Sequence, residues 1–219
     1  MAELRTEEEQ VQALKNWWNE NGKSLILGVA VALAAVLGWK GWQDQQAAKA
    51  ENASILYQNL LEAVVGAVGP QQDEAQLATA THLSQQLKDD YEGTAYANYA
   101  ALIMARVAAD NKELPKALEE LDWLLKNQPT ESMFILANLR KARILAAQGE
   151  VDKALALIGN VPVGGYKVAI EELKGDLYLQ QGDADKARAA YKVAVAAAGQ
   201  EGSRPILEMK LNDLASGDS

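Results

Sequence analysis

Any catalysis by this chain would have to start from His82, its only histidine, or from paired carboxylates, because it holds no cysteine. A zinc-type site needs three or four clustered imidazole, thiolate or carboxylate donors, and one imidazole without thiols does not build one. A nucleophile, base and orienting group meet the same shortage. His82 therefore reads as a polar position on a helix. The acidic pairs Asp89-Asp90 and Glu171-Glu172 are sequence neighbours, and such neighbours point apart on a helix, so each reads as a solvated face. Gly164-Gly165 is too short and too isolated for a phosphate loop and reads as a turn. No catalytic residue, metal ligand set or cofactor is expected, and the chain reads as non-enzymatic.

What remains is binding, and charge narrows the partners. The chain carries 21 basic and 30 acidic residues, a net charge of −9. Residues 43–219 hold 17 of the basic and 25 of the acidic residues, a net −8. Such a surface repels phosphate backbones, so nucleic acid is excluded as the main partner. With 219 residues, 49% of them hydrophobic, the chain can bury a sizeable core. Richness in alanine, leucine and glutamine, against five prolines and one phenylalanine, favours an all-α protein.

One stretch stands apart: "KSLILGVAVALAAVLGWKGW", residues 23–42. From Ser24 to Trp39 no residue is charged, and Gly41 and Trp42 extend the apolar run past Lys40. A helix crosses the hydrocarbon core with about 20 residues, or about 17 at the short limit. The run reaches that limit when Lys40 lifts its ammonium to the headgroups. Trp17 and Trp18 precede it and Trp39 and Trp42 close it, where indoles favour membrane interfaces. A core helix is seldom apolar on every side. A cleaved signal would open on a short basic region, whereas this chain opens on the acid-rich "MAELRTEEEQVQALKNWWNENGK". Residues 23–42 are thus expected to be a permanent transmembrane helix in contact with lipid.

Basic residues set the expected orientation. Lys15, Lys23 and the more distant Arg5 lead the span, and Lys40 and Lys49 trail it. That bias points to a cytoplasmic amino end. Thr6 and Glu9 have capping-box spacing, Val11, Leu14, Trp17 and Trp18 share a face, and Gly22 can end a helix. Residues 1–22 are accordingly expected to form an amphipathic segment on the cytoplasmic membrane surface.

After Trp42 the sequence repeats itself. "ALIMARVAADNKELPKALEEL" (101–121), "NLRKARILAAQGEVDKALALI" (138–158) and "ELKGDLYLQQGDADKARAAY" (172–191) each read as helix, polar turn, Lys-Ala and a second helix. Ala117, Ala154 and Ala187 hold equivalent places, 37 and 33 residues apart. Periods of this length with two helices per unit predict a helical-hairpin solenoid of tetratricopeptide type over residues 43–219. Residues 45–68 and 72–90 read as a further hairpin broken at Gly69-Pro70, and Ser203-Arg204-Pro205 as the start of a capping helix that lays Leu207, Leu211 and Leu214 on the last repeat. The first helix of each hairpin lines the concave face. Projection places Tyr99, Leu102 and Arg106, then Leu136, Leu139 and Arg143, then Glu172, Asp176 and Leu179 in a groove suited to an extended peptide or a partner's helix.

The whole layout resembles the YfgM family: an acidic start, "LKNWWNENGKSLILGVAVALAAVLGWKGW", a long helical stretch and "QGDADKARAAYKVAV" near the end. The specific part is the Trp-Trp-x-Glu-Asn-Gly-Lys run beside a single span. The family consists of ancillary subunits of the bacterial Sec translocon with a tetratricopeptide-like periplasmic domain. The resemblance implies a single-pass inner-membrane protein with its amino end cytoplasmic and its repeat domain periplasmic. It implies as partners the translocon channel subunits, a membrane-anchored periplasmic prolyl-isomerase-type chaperone and exported polypeptides. It carries over no catalytic residue. Two other readings of the same architecture stay open at this point: a scaffold for envelope assembly, and a membrane-bound regulator acting through its cytoplasmic amino-terminal segment.

Overall fold

The computed structural model describes residues 7–68, 73–199 and 204–216, and among them it is all-α, with no strand. The helices are α1 (Glu7–Ala67), α2 (Glu74–Asp90), α3 (Ala95–Asp110), α4 (Leu114–Lys126), α5 (Glu131–Ala147), α6 (Val151–Gly159), α7 (Lys167–Gln180), α8 (Ala184–Ala198) and α9 (Pro205–Ser216). The chain divides into two compact units, one ending at Asn52 and the other beginning at Ala53.

In the first unit the expected break at Gly22 does not occur. α1 runs through it, because no proline interrupts the segment and Gly22 keeps helical backbone angles instead of the left-handed ones a terminator needs. A methyl group at Gly22 would sit 3.1 Å from the Trp18 indole, so the small residue gives the ring room four positions on. The Thr6–Glu9 capping box lies outside the described residues; Glu7, Glu8 and Glu9 place negative charge in the first turn, where the helix dipole favours it. The apolar run is long enough to span a membrane, and only 6% of its most apolar stretch is buried within the protein. A soluble core helix would be mostly covered. Leu27, Val31 and Leu37 instead leave 66%, 61% and 68% of their surface open.

The second unit is a row of helical hairpins: the end of α1 with α2, then α3–α4, α5–α6 and α7–α8, closed by α9. Side-chain caps start α2, α3 and α5. Asp73 Oδ1 accepts from Ala75 N at 2.9 Å, Thr94 Oγ1 from Ala97 N at 3.3 Å, and Thr130 Oγ1 from Met133 N at 3.4 Å. The break expected at Gly69-Pro70 lies outside the described residues, and α2 begins just beyond it at Glu74. Pro162 and Gly164-Gly165 confine α6 to nine residues, followed by a 3-10 turn over Gly164–Tyr166.

Small residues let the helices approach. Ala117, Ala154 and Ala187 are completely buried. Beside Gly175 lies the ring of Tyr191, so close that a methyl group on Gly175 would overlap it. Leu121 and Leu124 fill the core beneath α3, α4 and α5, and Ile158 that among α5, α6 and α7. Each such side chain contributes roughly 1.5–3 kcal/mol on full burial. Leu207 of α9 is buried with Val168, Ala187 and Tyr191, and Leu211 and Leu214 pack against the same cluster, as a capping helix requires. Between hairpins, Lys88 of α2 meets Glu120 of α4 at 2.8 Å with its stem largely covered, and Lys141 of α5 pairs with Asp122 of α4.

Candidate functional site

The repeat pattern predicts nine side chains in a groove, and the structure divides them. Arg106 on α3 and Arg143 on α5 meet at one cleft of about 340 Å³, together with Ala105, Ala109, Arg140 and Ile144. Tyr99 is 42% exposed and lies 6.0 Å, ring centre to ring centre, from Tyr57 of α1. Leu179 is exposed on α7.

The others sit elsewhere. Leu102 and Leu139 are 6% and 2% exposed and belong to the core. They occupy equivalent places on successive hairpins, where a solenoid must bury an apolar side chain against its neighbour, so they support the groove from behind. Leu136 is half-buried against the core below α3 and α4. Glu172 and Asp176 are engaged within the protein. Lys210 of α9 donates to Glu172 Oε1 and to Asp176 Oδ1, each at 2.8 Å, and the Tyr191 hydroxyl donates to Asp176 Oδ1 at 2.7 Å. Burial pushes the Tyr191 phenol far up, and the Asp176 and Glu172 carboxylates add to the shift. For Lys210 burial works against the charge, but the two carboxylates outweigh it and hold the ammonium above its usual range. These groups fasten the capping helix.

Sequence projection missed Arg140, one turn before Arg143. Arg140 is half-buried, and its Nη1 donates to the Leu102 carbonyl at 2.9 Å. Burial lowers its pKa from the ordinary guanidinium value, and the like charges of Arg106 and Arg143 lower it further. The exposed Arg106 Nε stands 3.5 Å from Asp110 Oδ2, a pair too solvated to contribute much. A second cleft of about 600 Å³ adjoins the first: Leu61, Val64 and Val65 of α1, with Val68 just past its end, face Ile103, Arg106 and Val107 of α3. Arg106 lines both. The surface therefore passes from an apolar strip to a cationic pocket along successive first helices. The repeat pattern predicts no groove position in the first hairpin, although the spacing of Leu61 and Val65 puts both on one helical face, with Val68 just past the helix end.

This surface can hold a chain but brings together no nucleophile with a base. His82 is exposed on α2, away from any acidic partner in the cleft. Among the described residues no three histidine or acidic side chains are grouped to hold a metal.

The family model described as a tetratricopeptide repeat-like domain matches residues 15–216. The ancillary SecYEG translocon subunit of Aggregatibacter actinomycetemcomitans is 31% identical over 98% of this chain and 100% of its own. The chain belongs to the YfgM family. Proteins of the same name from Escherichia coli K12 and Haemophilus influenzae are each 29% identical to this YfgM-family chain. The first match covers 95% of this chain and 97% of the relative, the second 98% and 100%. No solved structure matches significantly.

Proposed function

We propose that the protein is a membrane-tethered, non-enzymatic ancillary subunit of the Sec translocon. The observation that carries this reading is similarity over nearly the whole chain to proteins named as such subunits, with the apolar span included in the aligned length. Residues 23–42 anchor it in the inner membrane, residues 1–22 lie on the cytoplasmic side, and residues 43–219 form the periplasmic domain. Its partners are the channel subunits, a membrane-anchored periplasmic prolyl-isomerase-type chaperone and exported polypeptides.

The mechanism needs no chemistry beyond proximity. A span beside the channel confines the groove to the exit, where a short tether gives effective concentrations in the millimolar range. Weak, reversible contacts with an emerging chain then suffice, and the exposed apolar and cationic side chains around Arg106 can supply them. The test is crosslinking in intact membranes, followed by affinity purification of the full chain and identification of what it retains. Recovery of channel subunits and a periplasmic isomerase is expected. Stable recovery of envelope-assembly proteins without either would replace the translocon reading with that of a scaffold.

A further inference from the structure

The clefts say more about the ligand than that it is a polypeptide. Arg106, Arg140 and Arg143 bring three guanidiniums to one pocket, and the one carboxylate lining either cleft is Asp110. This happens on a chain of net charge −9, so the pocket is a local reversal of the molecule's sign. Arg143 has no hydrogen-bond or ion-pair partner among the described residues. Arg140 spends one N–H on the Leu102 carbonyl, which fixes the guanidinium at the wall of the cleft and leaves its other donors for a ligand. Holding like charges together, one of them half-buried, is unfavourable unless an anion completes the site.

Next to the cations lies an uncharged strip. Val65 is 77% exposed, Val68 45% and Leu61 39%, three large side chains at the end of α1 and just beyond it, opposite Ile103. A monomeric surface seldom leaves adjoining apolar groups open at the edge of a cleft without a partner. The pocket is open and lined by side chains of α3, α4 and α5, so a chain can pass through it rather than end in it. Three cations against one solvated carboxylate ask for more than the single charge of a chain terminus.

We propose that this surface binds an extended segment whose apolar side chains lie on Leu61, Val65, Val68 and Ile103 and whose Asp or Glu side chains enter the Arg106–Arg140–Arg143 pocket. The inference rests on the reading of the repeat domain as a polypeptide-binding module and names the chemistry that module selects. Guanidinium–carboxylate bonds supply the selectivity, since they are about twice as strong as neutral hydrogen bonds. The apolar strip supplies contact area indifferent to sequence.

The test uses the full chain in detergent micelles and three fluorescent synthetic peptides of equal length. All share one apolar half; the other half carries paired glutamates, paired glutamines, or a free terminal carboxylate with no acidic side chain. The glutamate peptide should bind at least about tenfold tighter than the glutamine peptide. That advantage should shrink as salt rises, because the site is partly exposed. Arg106→Gln with Arg143→Gln should erase that advantage without lowering the melting temperature, since it removes two of three clustered like charges. Val65→Ser with Leu61→Ser should weaken all three peptides alike. Equal binding of the glutamate and glutamine peptides overturns the carboxylate selectivity and leaves the polypeptide-binding reading standing. Tightest binding of the free-terminus peptide overturns the assignment to side chains. Failure of every peptide overturns both readings of the domain.

Discussion

At Lys112 the backbone is held at φ 63°, in the left-handed region that side chains with a Cβ avoid. Its counterparts in the next two hairpins are Gly149 at 83° and Gly182 at 80°. All three turns close the same way: Glu113 N donates to the Ala108 carbonyl at 2.8 Å, Glu150 N to Leu145 and Asp183 N to Tyr178 at 2.9 Å each. The turn geometry is thus fixed by the repeat, and Lys112 bears a cost that its two glycine equivalents escape. The left-handed conformation costs a residue with a Cβ roughly 1–2 kcal/mol, and glycine gives back roughly 0.5–1 through chain entropy. Lys112→Gly should therefore stabilise the domain by roughly 0.5 kcal/mol, read as a higher urea midpoint with unchanged slope. Asp183, which caps α8 by accepting from Lys186 N at 3.1 Å, sets a pH-dependent counterpart. Hydrogen bonds from the Lys186 side chain and backbone hold its carboxyl below the ordinary value of 3.8. A depressed folded pKa stabilises above the unfolded value and loses that contribution as pH falls through the folded one. Asp183→Ala should lower the melting temperature at pH 7, and the gap to wild type should close in acid below about pH 4. The two glycine turns could be read from the sequence because glycine announces left-handed backbone. The lysine turn could not, since only alignment with its neighbours betrays it.

At the level of the hairpin, packing distance decides which residue is tolerated. Gly175 on α7 lies against Tyr191 on α8, and Tyr191 is 1% exposed while its hydroxyl is tied to Asp176. A methyl group at Gly175 would occupy space held by the ring, and the ring cannot swing out without breaking that bond. Gly175→Ala gains helix propensity of up to about 1 kcal/mol, yet overpacking a filled core costs typically 1–3 kcal/mol. The variant should melt lower, and Gly175→Ala combined with Tyr191→Leu should recover most of the loss; additive losses would separate the two positions. Such small-to-large pairs were legible, because alanine and glycine at fixed places in a repeat imply close helices. The groove was legible only in part. Projection assigns the first helix of each hairpin to one face, but a residue one step around that helix packs into the core, as Leu102 and Leu139 do. Glu172 and Asp176 failed for another reason: their partner, Lys210, lies 38 and 34 residues further along. A helix that caps the row takes over the polar groups that an open hairpin would present.

Across the whole molecule, every buried apolar residue among those described lies at or after Ala53. The two units therefore meet their environments under different rules. The first has no core of its own, and its apolar side chains at Leu25, Ile26, Val29 and Leu33 are 46–59% open. Leaving that surface in water is unfavourable by about 25 cal/mol for each Å² of apolar area, so lipid or detergent must cover it. The second unit carries its four core clusters from Ala53 onward, and nothing in those clusters calls on residues before Ala53. Its net charge is strongly negative, which favours solubility. A chain reduced to residues 43–219 should hence be monodisperse without detergent, keep the full chain's urea midpoint, and bind the glutamate-bearing peptide with unchanged affinity. The full chain should remain with the membrane after alkaline extraction. Sedimentation velocity and urea titration decide the first part. A fragment that aggregates, or unfolds at a clearly lower midpoint, would mean that the core depends on the segment before it. Soluble release of the full chain at high pH would remove the anchor, and with it the proximity on which the proposed binding at a channel exit depends.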